Sequence, residues 1–206
     1  FAPACECPGG KGGLLGVEPV RAGFVERFEN DFSTFYQNAT DTHSAVGHTQ
    51  AISEASLSKV DHMIYIQNAY FTDDAMLYEL AKARKRGVDV RVILPLVGNH
   101  GPINQSNVLA ANAMLEHGIR VFVYPGMSHV KAAVFDGWAC MGSANWDKLS
   151  FRTNKELNIA TSHTPYVNAL LEEIFVPDFA QSVELTEPFP VRWSDHLMEV
   201  VADYLL

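Results

Sequence analysis

No apolar run in the 206 residues approaches the ~20 needed to cross a bilayer, so no membrane anchor is expected in the chain itself. Any membrane contact would be peripheral. Positive charge is scarce: 15 Lys and Arg stand against 24 Asp and Glu, a formal net charge of -9. Proteins that coat nucleic acid draw on clustered Lys and Arg, so this balance counts against a nucleic-acid partner, although a local basic cleft can coexist with an acidic exterior. Cysteine is equally sparse. Cys5 and Cys7 lie in the opening Gly- and Pro-rich stretch and Cys140 in an apolar one, which supports no metal site and reads as a buried thiol plus two in a loose terminus. A signal-peptide pattern and an initial Met are both missing, as in a mature, trimmed or excised product. The sequons at Asn38 and Asn104 are read as chance.

What is present is an ordinary globular composition, 48% hydrophobic and 19% charged, enough to bury a core. Residues 1–19 read as a linker, and Phe24, Phe28, Phe32 and Phe35 at helical spacing predict an amphipathic helix after it. Residues 1–47 are therefore taken as linker and helix, and 48–206 as one α/β domain. Within that domain QAISEASLSKVDH reads as a helix and MIYIQNAYF as a buried strand. DDAMLYELAKARKRG reads as a helix capped by Thr72 or Asp73 and stopped by Gly87. VDVRVILP is a strand, LVGNHGPINQ a loop, SNVLAANAMLEHG a helix ended by Gly118, and IRVFVYP a further strand. The alternation predicts a mixed, mainly parallel sheet with helices on both faces. After Pro125 come HVKAAVF and WACMGS, joined by the hairpin signal Asp136-Gly137, then the strand ELNIAT and two late helices.

Chemistry gathers on that hairpin. Side chains two apart along a strand share a face, so His129 and Lys131 project together. The tight Gly142-Ser143 loop past the next strand can bring Ser143 and Asn145 beside them, and Glu156 opens the strand that follows. Such a set suits a phosphodiester. Lys131, Ser143 and Asn145 offer charge and hydrogen bonds to oxygens that gain charge in the transition state. A neutral imidazole can attack phosphorus, and a carboxylate on its other nitrogen would fix its tautomer. The chemistry needs no metal and no cofactor.

His129, Lys131 and Asp136 form HxKxxxxD; with Gly142, Ser143 and Asn145 as GSxN, and NKELN after them, the stretch resembles the signature of the phospholipase D superfamily. The resemblance runs over roughly residues 48–161 and is closest to the second half of cardiolipin synthase-type members. It implies that His129 is the nucleophile forming a phosphohistidine, or the acid that protonates the leaving alcohol. It also implies that Lys131, Ser143 and Asn145, with Gly142 in their loop, bind phosphate and that Glu156 orients the histidine. Asp136 is included with the catalytic residues, though its place before Gly137 suits a turn better than direct chemistry. Lys148 stands where such members usually carry arginine, which bears on the substrate.

The family reaction uses two histidines from two copies of the motif. His43, His48, His62, His100, His117, His163 and His196 are not followed by lysine two residues later, so this chain holds half a site. The other half would come from an N-terminal repeat on other polypeptide, which the resemblance favours, or from an identical chain. The implied activity is hydrolysis or transfer of phospholipid phosphodiesters. The alternatives are a homodimeric, metal-independent nuclease and a non-catalytic half-repeat that partners a complete enzyme.

Overall fold

The computed structural model describes residues 33–38, 57, 59–95, 101–154 and 156–191, with the backbone alone at 33–38, 101–105 and 152. The first strand, β1 (Ser33–Asn38), is followed by β2 (Met63–Asn68), α1 (Asp74–Lys85), β3 (Asp89–Pro95), α2 (Gly101–Glu116) and β4 (Arg120–Tyr124). Next come β5 (Lys131–Phe135), β6 (Trp138–Gly142), α3 (Lys148–Arg152) and β7 (Glu156–Thr161). The chain then runs through α4 (Thr164–Leu170), a π-helical turn (Leu171–Phe175), α5 (Val176–Gln181) and the short β8 (Val183–Glu184). Pro177 lies in this last continuous helix and has no amide hydrogen for the carbonyl four residues before it, a local reason for the π turn.

One eight-stranded sheet has the order β1-β7-β6-β5-β2-β3-β4-β8. It is mixed, as expected, but parallel pairing is confined to β2-β3 and β3-β4. The remaining pairs are antiparallel, so the sheet is not mainly parallel. The cause is connection length. Helical crossovers α1 and α2 return the chain in the same direction, whereas Asp136-Gly137 turns it back at once.

Two apolar layers flank the sheet. On one face Ile64, Ile66, Val90, Val92, Ala133 and Phe135 pack under Met76, Leu80, Ala111, Met114 and Phe151 from α1, α2 and α3. On the other, Ile93, Phe122, Ala132 and Val134 meet Val167, Leu170 and Phe175. Helices therefore cover both faces.

The caps follow the sequence. Asp73 accepts a hydrogen bond from the Met76 amide at 2.9 Å, and Gly87 takes a left-handed φ of 99°. Three segments differ from expectation. Residues 33–38 form a strand paired with β7, not the end of a helix; Thr34, Phe35 and Tyr36 are strand formers, and the β7 edge supplies their backbone partners. α2 begins at Gly101, five residues before the sequence pattern places it, so the loop is shorter. Of the helix expected at 50–62, Leu57 is helical but residues 59–62 form a turn and bends; its remaining residues, the expected helix at 194–206, the Phe24–Phe32 stripe, Cys5, Cys7 and His100 lie outside the described residues.

Candidate active site

Antiparallel register gathers the site at one end of the sheet. β2 ends at Asn68 directly opposite Lys131, where β5 begins. β6 ends at Gly142 opposite Asn158, beside the Glu156 end of β7. Four strand ends thus deliver His129, Lys131, Ser143, Asn145 and Glu156 to the same edge.

His129 precedes β5 rather than lying within it, and it is exposed. Lys131 is 8% exposed, and its Nζ reaches back to donate to the His129 carbonyl oxygen at 3.2 Å. Burial lowers the Lys131 pKa from its ordinary value, while the charges of Glu156 and then Asp147 oppose that shift. The ammonium is thus buried within the field of two carboxylates.

Ser143 is more engaged than the sequence suggests. Its hydroxyl donates to Glu156 Oε2 at 2.5 Å, and its Oγ accepts from the Leu157 amide at 3.0 Å. Glu156 therefore holds Ser143, and among the described residues the His129 imidazole has no hydrogen-bond partner. Gly142 packs tightly on β7: a Cβ there would lie 2.6 Å from Asn158 Cα and closer still to the Leu157 carbonyl oxygen. Its role is to let β6 approach β7 and set Ser143. The Asn145 amide nitrogen donates to Ser150 Oγ at 3.1 Å, and Asn145 Oδ1 is buried with no partner among the described residues.

Asp136 is removed from this cluster. It occupies the hairpin turn at the far end of β5 with a left-handed φ of 47°. Its Oδ2 accepts from the Asp61 amide at 2.9 Å, and its Oδ1 from those of His62 at 3.1 Å and Met63 at 2.8 Å. Five residues of strand, at ~3.3 Å each, separate it from Lys131. It clasps the turn to the start of β2, away from the strand ends that hold His129, Lys131, Ser143 and Glu156.

The sequence pattern does not single out Asp147, which the structure adds. Only 9% exposed, it caps α3 by accepting from the Ser150 amide at 2.6 Å. Burial raises its pKa, opposed by hydrogen bonds from Ser150 and Asn145 and reinforced by the Glu156 charge. The signal was legible: an Asp three residues before Ser150 at a helix start is a capping pattern. Asn68 is likewise new. Fully buried, it accepts from the Tyr70 amide at 3.2 Å and the Trp146 amide at 3.3 Å, tying the loop after β2 to the Asn145 segment.

The match to known proteins decides the family. The cardiolipin synthase, PLD-like domain family matches residues 49–177. The chain belongs to the phospholipase D-like domain family. Cardiolipin synthase of Listeria welshimeri is 39% identical over 126 residues, 60% of this chain and 26% of that protein. Cardiolipin synthase A of Pseudomonas aeruginosa is 36% identical over the same shares. The chain thus spans about a quarter of the length of these relatives.

Among solved structures, the phospholipase D family member Nuc from Salmonella typhimurium superposes with a TM-score of 0.63 at 20% identity, covering 75% of this chain and 99% of Nuc. Phosphatidylserine synthase from Haemophilus influenzae gives 0.63 at 12% identity, covering 84% and 45%. At those identities the likeness is one of fold. Among the described residues of this phospholipase D-like chain, no helix is long and apolar enough to cross a membrane.

Proposed function

We propose that this phospholipase D-like chain contributes one half of an active site that cleaves or transfers phospholipid phosphodiesters through a covalent phosphohistidine. The observation that carries the reading is an exposed imidazole at His129 beside the buried Lys131 ammonium, with Ser143 and Asn145 on the adjoining loop. The 39% identity to a cardiolipin synthase supports a phosphatidyl ester as substrate.

In the proposed cycle a phosphoryl oxygen sits against Lys131, with Ser143 turning its proton from Glu156 toward a second oxygen. One imidazole of a pair attacks phosphorus with its unprotonated nitrogen. The bond from phosphorus to the leaving alcohol breaks, and the other imidazole gives that alcohol its proton. Water, or the hydroxyl of a second lipid, then attacks phosphorus, releases the P–N bond and returns its proton to the second imidazole. Lys131 stabilises the charge on the non-bridging oxygens in both steps.

His129 supplies one imidazole. The second comes from another polypeptide bearing its own His-x-Lys, and we take this to be an N-terminal repeat. Two measurements test the reading: the chain content of the native particle, and its turnover of a phosphatidyl ester against single-stranded DNA at low and moderate salt. A different polypeptide with its own motif, and turnover of the lipid, are expected. A symmetric dimer of this chain that cuts DNA, with salt-sensitive affinity, would instead establish the nuclease.

A further inference from the structure

Behind the site, on the opposite face of the sheet, lies a polar group that the proposed chemistry leaves without a role. Gln67 is in β2, paired with Ala132, and is 0% exposed. The layer on that face is apolar, with Ala132 paired to Gln67 and Val130 packed against the same cluster. Its Nε2 nevertheless makes two hydrogen bonds, to Ser128 Oγ at 3.0 Å and to Asp178 Oδ2 at 2.7 Å.

The orientation of this amide is fixed. A carboxylate only accepts, so the nitrogen must face Asp178. Gln67 Oε1 is left buried with no partner among the described residues, a state that costs stability. An apolar side chain would suit this layer better. The residue is therefore explained by what it holds.

It holds the chain that leads to His129. Ser128 is the residue immediately before the imidazole and is itself 6% exposed. From Pro125 to Val130 the chain is in no helix or strand, and Gly126 has a φ of 136°. Beside the bond from Lys131 Nζ to the His129 carbonyl oxygen, the Gln67 amide is a second side-chain anchor of this stretch on the sheet. The other end of the clamp is secured too: Asp178 Oδ1 accepts from Gln181 at 2.7 Å. One amide thus ties β2, the His129 approach and α5 together.

We infer that Gln67 is a positioning residue that acts through Ser128 to set where the His129 imidazole meets phosphorus. The inference rests on the proposed role of His129. It assigns Gln67 to the chemical step, not to substrate affinity, because it touches neither Lys131 nor the Ser143 loop. Displacing a reacting group by about 1 Å can cost on the order of 10²-fold in rate.

The test compares variants within the complete, active particle on a phosphatidyl ester, with His129→Asn as the reference for lost chemistry. Gln67→Met, of similar shape without donors, and Ser128→Ala are expected to lower kcat by roughly 10- to 100-fold with KM within about twofold. Asp178→Asn, whose amide oxygen still accepts from Gln67, is expected to keep the rate. A merely structural role would lower melting temperature and leave kcat per folded molecule unchanged, and that result would overturn the inference. If His129→Asn itself turns over normally, the reading of His129 fails instead, so the two failures are distinct.

Discussion

The Ser143 hydroxyl donates to Glu156 Oε2 at 2.5 Å, across the gap between the end of β6 and the start of β7. This bond makes Ser143 a shared group: its oxygen already accepts from the Leu157 amide, and its proton must leave Glu156 to meet a phosphate oxygen. Ser143→Ala is therefore expected to lose one charge-assisted hydrogen bond in the transition state, about 1.5–3 kcal/mol or some 10- to 100-fold in kcat/KM. Steady-state kinetics on a phosphatidyl ester checks this. Unchanged kcat/KM would leave Ser143 with only its role between the strands.

Asp136 yields the opposite expectation. Its carboxylate serves three backbone amides at the start of β2, so Asp136→Ala leaves them to water or unpaired. A loss of about 1–3 kcal/mol in unfolding free energy is expected, with kcat per folded molecule intact. Denaturant titration alongside kinetics separates the two. A large fall in kcat at unchanged stability would return Asp136 to the chemistry.

Asp147 links charge to pH. Burial lowers the Lys131 pKa from 10.5, and the Asp147 charge opposes that shift. Asn caps a helix as well as Asp, so Asp147→Asn keeps the α3 start while removing the charge. With less opposing charge, Lys131 loses its proton at lower pH. The alkaline limb of the activity profile is expected to move toward neutrality.

Stability has a definite sign here as well. Asp147 has a raised pKa in the fold, so as pH climbs above 3.8 the unfolded chain releases its proton first and the native state is disfavoured. Asp147→Asn removes that term, and its stability is expected to fall less with rising pH than that of the parent. A pH-rate profile and melting curves check both. An alkaline limb that stays in place would remove Asp147 from the electrostatics of Lys131.

Gly142→Ala tests how the loop is seated. A methyl group would press on the Leu157 carbonyl oxygen and on Asn158, so β6 must separate from β7. Both melting temperature and turnover are expected to fall together, since Ser143 moves with the strand. A variant that is fully active and equally stable would contradict the close approach.

Much of this was legible from spacing alone. The runs around Ile64–Ile66 and Val90–Leu94 gave strands, Asp73 and Gly87 gave the ends of a helix, and Asp136-Gly137 gave the hairpin that places Lys131 and Ser143 at one end. Other features depended on partners distant in sequence. Phe35 fits a helical stripe, yet the β7 edge makes its segment a strand. Asp136 looks alike as a base or as a clasp until the amides of residues 61–63, more than 70 positions away, are seen to meet it. The bond from Glu156 to Ser143, rather than to an imidazole, is a matter of ångströms that no motif encodes.

The most direct test is the His129→Asn substitution in the complete particle, assayed for turnover of a phosphatidyl ester beside its melting curve. Because His129 is exposed and outside the core, the fold is expected to be unaffected while turnover drops by about 10³-fold or more. A variant that melts like the parent and keeps most of its activity would contradict the account.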